Sequence, residues 1–258
     1  MQNISWYQGQ KKKLSCKGND LISKLMNYSY TLKMETMNHT TETTSVKKTT
    51  SKASKKPNIH SIAPFIKEYY PQYWGIQHYP ADQCASFCKT NEQWGILGNF
   101  GKVSLKVNGL MFKNSEQLFQ LMKFQEVEVL KDVYTVPAGR GLKMKAKHYE
   151  SEYHRPDWGN FILDAMKFCL MNKYEQSSDF RETLEQTKGL YIVEDQTIFP
   201  KKTADAWGTK LVDDEYVGPN ILGRLLMELR DNGKLEYHLP DDALDFIESL
   251  KDEETSRD

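Results

Sequence analysis

Three side chains in the middle of the chain have the types and spacing for acid–base and nucleophilic chemistry. Glu116, Gln120 and Lys123 stand at i, i+4 and i+7. On a helix that spacing stacks them on one face, with ~10 Å of rise between the outer pair. A positioned carboxylate can move a proton to or from a reacting atom. A lysine amine whose pKa is lowered by burial can act as a nucleophile. Long side chains at the two ends can reach one bound ligand. The same spacing also suits an exposed face on which a Glu and a Lys stand too far apart to pair. Arg155-Pro156-Asp157-Trp158 sets an indole at a helix start, either as core or as a stacking surface for a flat base. Trp207-Gly208 lies in a long expected loop, and a glycine beside an aromatic permits close backbone approach to a ligand. Gly218-Pro219-Asn220 opens a helix, whose N-terminal N–H groups suit an anion. Arg140 and Lys143–Lys147 offer cations for a phosphate, or form a solvated basic turn.

The elements that must position these residues follow from pattern and punctuation. Val103, Leu105 and Val107 alternate with polar residues and run into Asn108-Gly109, which predicts a hairpin over 103–112 closed by a type I′ turn. Asn114-Ser115-Glu116-Gln117 reads as an N-cap with a polar residue at N3, starting a helix over 115–130. Pro137 and Gly139 mark a break, followed by a short basic helix or turn over 140–149. Pro156 suits the first position of a long helix reaching Tyr174. A helix over 178–187, a strand over 190–194, a loop over 195–217 and an apolar helix over 219–231 follow. Gly189 and Gly233 end the two helices. A helix over 61–70 and a small amphipathic helix over 243–250 complete the reading.

The zero formal net charge hides an asymmetry. Residues 1–60 hold eleven lysines, no arginine and only Asp20, Glu35 and Glu42 as acids, a charge of +8; the remainder carries −8, from 24 basic and 32 acidic residues. Residues 1–58 are read as a disordered Lys/Ser/Thr-rich arm, because they offer too little apolar surface to offset the entropy of ordering. The arm serves either as a solvated linker or as a contact for nucleic-acid phosphates. Residues 59–93 are rich in aromatics and read as an accessory segment packing on a main domain over 94–238, with a C-terminal helix and acidic tail over 239–258. Cys16, Cys84, Cys88 and Cys169 form no CxxC pair; Cys84 and Cys88 suit one helical face, and no metal site is expected. The first 30 residues contain no apolar stretch of signal-peptide length and no run approaches a membrane span, so an intracellular setting, cytoplasmic or nuclear, is expected.

Taken in order, these segments resemble one family. Asn99-Phe100, a hairpin, then Ser115-Glu116-Gln117-Leu118-Phe119-Gln120-Leu121-Met122-Lys123-Phe124 follow the pattern N-F … S-E-x-x-x-Q-x-x-K-F of the NADAR (NAD- and ADP-ribose-associated, YbiA-like) family. Gly139-Arg140, Asp157-Trp158, Lys173-Tyr174, Val193-Glu194, Trp207-Gly208 and Asn220-Ile221-Leu222-Gly223 match in register, so the resemblance covers about residues 94–236. The chain departs from the pattern at Gln117, Leu118, Met122 and Ala204, with Asp205 one step beyond the usual aspartate position.

The resemblance implies a compact, mainly α (α+β) domain and an N-glycosidase that needs no cofactor. It implies hydrolysis of a ribose C1–N bond: removal of ADP-ribose from guanine in nucleic acid or nucleoside, or cleavage of ribosylamine phosphates of riboflavin biosynthesis. A non-catalytic ADP-ribose or NAD-binding module is the rival of a different class. On this reading Glu116 is the general acid/base and Lys123 an imine-forming nucleophile or a substrate clamp. Trp158 and Trp207 would stack a base. Asn99, Gln120 and Asn220 would hold ribose hydroxyls, Arg140 and the helix start at Asn220 a phosphate. Phe100, Asp157 and Gly208 complete the expected substrate-binding set. The oligomeric state is left open.

Overall fold

The computed structural model describes residues 62–254; the arm expected over 1–58 lies outside them. The architecture is α+β and mainly helical, with three small sheets. Helix α1 (Ala63–Tyr69) carries Pro64 in its first turn, where no N–H is needed. Strands β1 (Gln77–Pro80) and β2 (Cys84–Phe87) follow. Next come the hairpin β3–β4 (Leu105–Val107 and Leu110–Phe112) and helices α2 (Ser115–Leu121), α3 (Val127–Thr135), α4 (Arg140–Tyr153), α5 (Trp158–Gln176) and α6 (Ser178–Gln186). Strand β5 (Tyr191–Glu194), the hairpin β6–β7 (Lys210–Val212 and Glu215–Gly218), α7 (Ile221–Asn232) and α8 (Asp245–Glu254) complete the order.

The hairpin at 105–112 has the expected turn, with Asn108 at φ 46° and Gly109 at φ 88°. Several other expectations need correction. The helix expected over 115–130 is two helices. After Leu121 the amides of Lys123 and Phe124 turn back to the carbonyls three residues earlier, those of Gln120 and Leu121. The Lys123 carbonyl then accepts the amide of Arg155 at 2.9 Å, and Phe124 forms a β-bridge with His154. The break is tertiary in origin: this segment bonds to the α4–α5 junction, and no glycine or proline announces it. Lys123 therefore stands in the turn beyond α2 and not on its face.

Cys84 and Cys88 do not share a helical face either. Residues 84–87 are a strand paired in parallel with β5, with Ala85 and Phe87 buried between more accessible neighbours. Strand β1 pairs antiparallel with β7. Residues 59–93, expected to lie on the domain as an accessory, thus contribute one strand to each of two sheets. The loop expected over 195–217 contains β6 and β7, joined by a tight turn in which Asp213 adopts φ 53°. Pro156 is not in the first turn of α5. Asp157 occupies the N-cap position but caps nothing with its side chain, because both carboxylate oxygens are bonded to Arg155. Helix α4 extends to Tyr153, four residues past the expected basic turn, and buries Leu142, Ala146 and Glu150.

One large core unites the helices. Trp158, Phe112, Phe124, Phe180, Leu118 and Leu121 are all nearly inaccessible. Removing such side chains from water is the main stabilising term, at roughly 1.5–3 kcal/mol for each large apolar group. Helix α8 belongs to this core through Phe246, Ile247 and Leu250. No helix of the described residues is long and apolar enough to cross a membrane.

Candidate active site

A cleft of about 780 Å³ opens between α2, α4, the turn at 98–101 and the end of β5. Its helical wall is set by the start of α2. The Asn114 side chain caps the helix by accepting the amide of Gln117 at 2.9 Å. The Gln117 side chain accepts the Lys113 amide and donates to the Tyr134 carbonyl, each at 2.8 Å. One of the residues that departs from the family pattern is thus occupied in holding this helix end. The Asn99 carbonyl receives both the Glu116 amide and the Ser115 hydroxyl at 3.1 Å, which fastens the turn at 98–101 to α2. With its backbone held in this way, Glu116 is only 5% exposed, and its Oε1 accepts Gln120 Nε2 at 2.8 Å. The other end of that amide, Gln120 Oε1, is buried with no partner among the described residues. A buried acceptor without a donor is costly, and a substrate hydroxyl would satisfy it.

Lys123, 8% exposed, forms a 2.6 Å ion pair with Glu150 Oε1 on α4. Burial lowers its pKa; Glu150 and Glu116 oppose the shift, Lys143 adds to it, and the net direction is down. Its ammonium also lies 5.7 Å from the Phe119 ring centroid. His154, on the same side of the cleft, has its pKa lowered by burial and then by Lys123.

The opposite wall is built on strand ends. Glu194 closes β5 and faces the cleft. Gln196 Nε2 donates to Glu194 Oε2 at 3.1 Å and to Asp205 Oδ1 at 2.7 Å, so one amide clamps two carboxylates. Desolvation and the neighbouring Asp205 raise the Glu194 pKa to about 7, against the pull of Lys143. Lys143 itself loses stabilisation of its charge through desolvation, but Glu116, Glu194, Asp205 and Glu150 together outweigh that and raise its pKa. The backbone behind this wall depends on Gly208. A Cβ there would stand 2.6 Å from the Glu194 carbonyl and 2.8 Å from the Gln196 amide.

Among the sequence-expected residues, Asn99, Phe100, Glu116, Gln120, Lys123, Trp158 and Trp207 line the cleft. Trp158 is 1% exposed and packed against Phe119, Phe161 and His154, which leaves no face for a base. Trp207 is half-buried, edge-on to Phe119 at 5.7 Å, and keeps accessible surface. Four expected residues stand elsewhere. Arg140 is exposed at the start of α4, and Asp157 is paired with Arg155. Gly208 serves packing. Asn220, at φ 51°, donates to the Ile192 carbonyl at 2.9 Å and accepts the Glu194 amide at 3.3 Å. Its side chain thus holds β5 and indirectly places Glu194. Glu150 went unread in the sequence, and Glu194 and Asp205 were placed only by the family pattern, with no role given to them. Lys143, Lys147 and Glu150 recur at i, i+4 and i+7, the same signal that marked Glu116 and Lys123. Beyond its place at a strand end and in the family pattern, nothing marked Glu194 for chemistry.

The fold and this cleft define a NADAR domain. The family model for that domain matches residues 69–232, and the chain belongs to the family. The N-glycosidase YbiA of Escherichia coli is 29% identical over 162 residues, covering 62% of this chain and 95% of YbiA. A riboflavin biosynthesis protein of Vibrio vulnificus is 28% identical over 171 residues, 66% of this chain; the match spans only 43% of that longer protein. The NMR structure of E. coli YbiA aligns with a TM-score of 0.48 at 28% identity, covering 64% of this chain and 95% of YbiA.

Proposed function

We propose that this chain is an N-glycosidase that hydrolyses a ribose C1–N bond, removing ADP-ribose from guanine in nucleic acid or nucleoside. The observation that carries the reading is the pairing of two features in one cleft: a buried Glu116 carboxylate, and a Lys123 amine whose pKa is lowered by burial. An ammonium cannot attack carbon; a lysine that gives up its proton more readily can. Glu150, 2.6 Å away, is placed to take that proton.

The ribosyl ring opens at C1 to an imine of the base amine. The Lys123 amine adds to C1 and the base amine leaves, so the sugar becomes joined to Lys123 as an imine. Water then adds to C1, the C1–Lys123 bond breaks, and free sugar departs. Glu116 moves protons at C1 and the ring oxygen in each step. In the alternative, water attacks C1 directly with Glu116 as its base, and Lys123 holds a hydroxyl or phosphate. Gln120 Oε1 accepts a ribose hydroxyl in either case. Lys89, Lys143, Lys147 and Lys201 line the cleft, and among the described residues none forms an ion pair, which suits a phosphorylated substrate. Trp207 provides a stacking edge for a base.

A second reading is cleavage of ribosylamine phosphates of riboflavin biosynthesis, and the name of one relative, a riboflavin biosynthesis protein, favours it. One assay separates the two. The protein is incubated with ADP-ribosylated guanine DNA and with a ribosylaminopyrimidine phosphate, and free base amine is measured. Release from the DNA alone supports the first reading and release from the pyrimidine alone the second. Tight ADP-ribose binding with no release from either leaves a non-catalytic binding module. Borohydride trapping of sugar on Lys123 during turnover distinguishes the covalent route from direct attack by water.

A further inference from the structure

We propose that Glu194 is the general acid that protonates the departing base nitrogen, working across the cleft from Glu116, with Gln196 as its positioning residue. This rests on the N-glycosidase reading and divides its proton traffic between two carboxylates. Glu116 enters from the first turn of α2 and Glu194 from the end of β5, so the two approach bound substrate from different walls.

The groups facing Glu194 decide which form it takes. Asp205 is joined to it through the Gln196 amide, and a proton on one of the two relieves their repulsion. Asp205 also accepts the Trp207 amide at 2.9 Å and is the more exposed, so it is the better anion. Glu194 therefore takes the proton. Glu116 faces it as a second negative charge, Lys143 as the opposing cation, and the Cys88 thiol stands beyond the end of β2. Gln196 occupies Glu194 Oε2, and Oε1 has no partner among the described residues, so it is available to carry a proton and hand it on. A pKa of about 7 keeps a large protonated fraction at neutral pH.

The step balances. As the C1–N bond breaks, its electron pair goes to the base nitrogen, which takes the Glu194 proton. The oxygen of water becomes bonded to C1 before free sugar leaves, and its proton passes to Glu116. Both carboxyls reset by exchange with solvent.

Glu194→Gln keeps the size and the Gln196 contact but cannot give up a proton as an acid. With whichever of the two substrates above the wild-type protein cleaves, kcat should fall about a hundredfold or more. The wild-type loss of kcat/KM as pH rises through about 7 should disappear in the variant. Wild-type turnover with a Glu194→Gln variant that keeps its rate or its alkaline limb overturns the assignment alone. A wild-type protein that releases no base from either substrate overturns the N-glycosidase reading, and this assignment with it. Carboxyl titration of the wild-type chain labelled with ¹³C at its glutamates tests the same point without turnover. One glutamate should titrate near neutral pH, and its resonance should vanish in Glu194→Gln, or in Glu194→Asp should the amide not fold. Glutamates that all titrate below about pH 5 overturn the proposal.

Discussion

The region around Lys123 and the region around Lys173 both take a lysine out of water, and they treat it differently. Lys173 lies in the last turn of α5, fully buried, with its ammonium over the Phe180 ring at 4.7 Å and donating to the Gly98 carbonyl at 2.7 Å. It faces no carboxylate, and burial alone pushes its pKa down to about 7. Lys123 keeps an opening to the cleft, an ion pair with Glu150 and the field of Glu116. Burial by itself is therefore no sign of chemistry. Lys173 fastens the turn whose next residue, Asn99, supports the start of α2, and so acts on the cleft only through the backbone. The lysine proposed to react is the one that shares a cavity with carboxylates.

The largest effect expected from this contrast is on turnover. Glu116→Ala should lower the rate of base release by a hundredfold or more while the melting temperature and ADP-ribose binding hold, because only the cleft loses a group. A variant that keeps its rate would place Lys123 and Lys173 in the same structural role.

Lys173→Met should act on stability and on its pH dependence. The folded pKa of Lys173 lies below its unfolded value near 10.5. Between about 7 and 10.5 the unfolded chain holds the proton and the folded chain does not, so wild-type stability rises with pH across that window. Below about 7 both states hold it, and the whole cost of the buried charge is present. The methionine variant lacks this contribution. Urea unfolding from pH 6 to 10 should therefore show the wild type gaining on the variant by an amount on the order of a few kcal/mol. Parallel curves would mean that Lys173 stays charged in the core.

Gly208→Ala should disturb both properties, since its Cβ would press on the Glu194 carbonyl and the Gln196 amide. The expected cost is about 1–3 kcal/mol of stability, with loss of activity through displacement of the strand wall. Asn114→Ala should do least. It removes the cap of α2 and about 1 kcal/mol, lowering the melting temperature with a small fall in rate from fraying beneath Glu116.

The legible parts of this molecule are those written locally. Asn108-Gly109 specifies its own turn, Asn114 specifies a helix start, and Gly233 at φ 70° specifies a helix end. The break after Leu121 was not legible, because its cause is a bridge to His154 thirty residues away in sequence. The pairing of β2 with β5 likewise joins segments more than a hundred residues apart and leaves no mark on either. On the helical wall, Glu116 and Gln120 could be read because helical spacing brings them together, whereas Lys123 reaches the cleft from the turn beyond the helix. The strand wall could not, since Glu194, Gln196 and Asp205 converge only through a fold that seats Gly208 against them.

Glu116 and Lys123 are proposed to serve one reacting carbon, and a double-mutant cycle measures this most directly. Base release from ADP-ribosylated guanine DNA is compared for the wild type, Glu116→Ala, Lys123→Met and the double variant. Groups that act together lose little more when both are removed than when one is. Each single variant should fall a hundredfold or more and the double no further than the worse single. Losses that multiply, or a Lys123→Met variant that turns over at the wild-type rate, would contradict it.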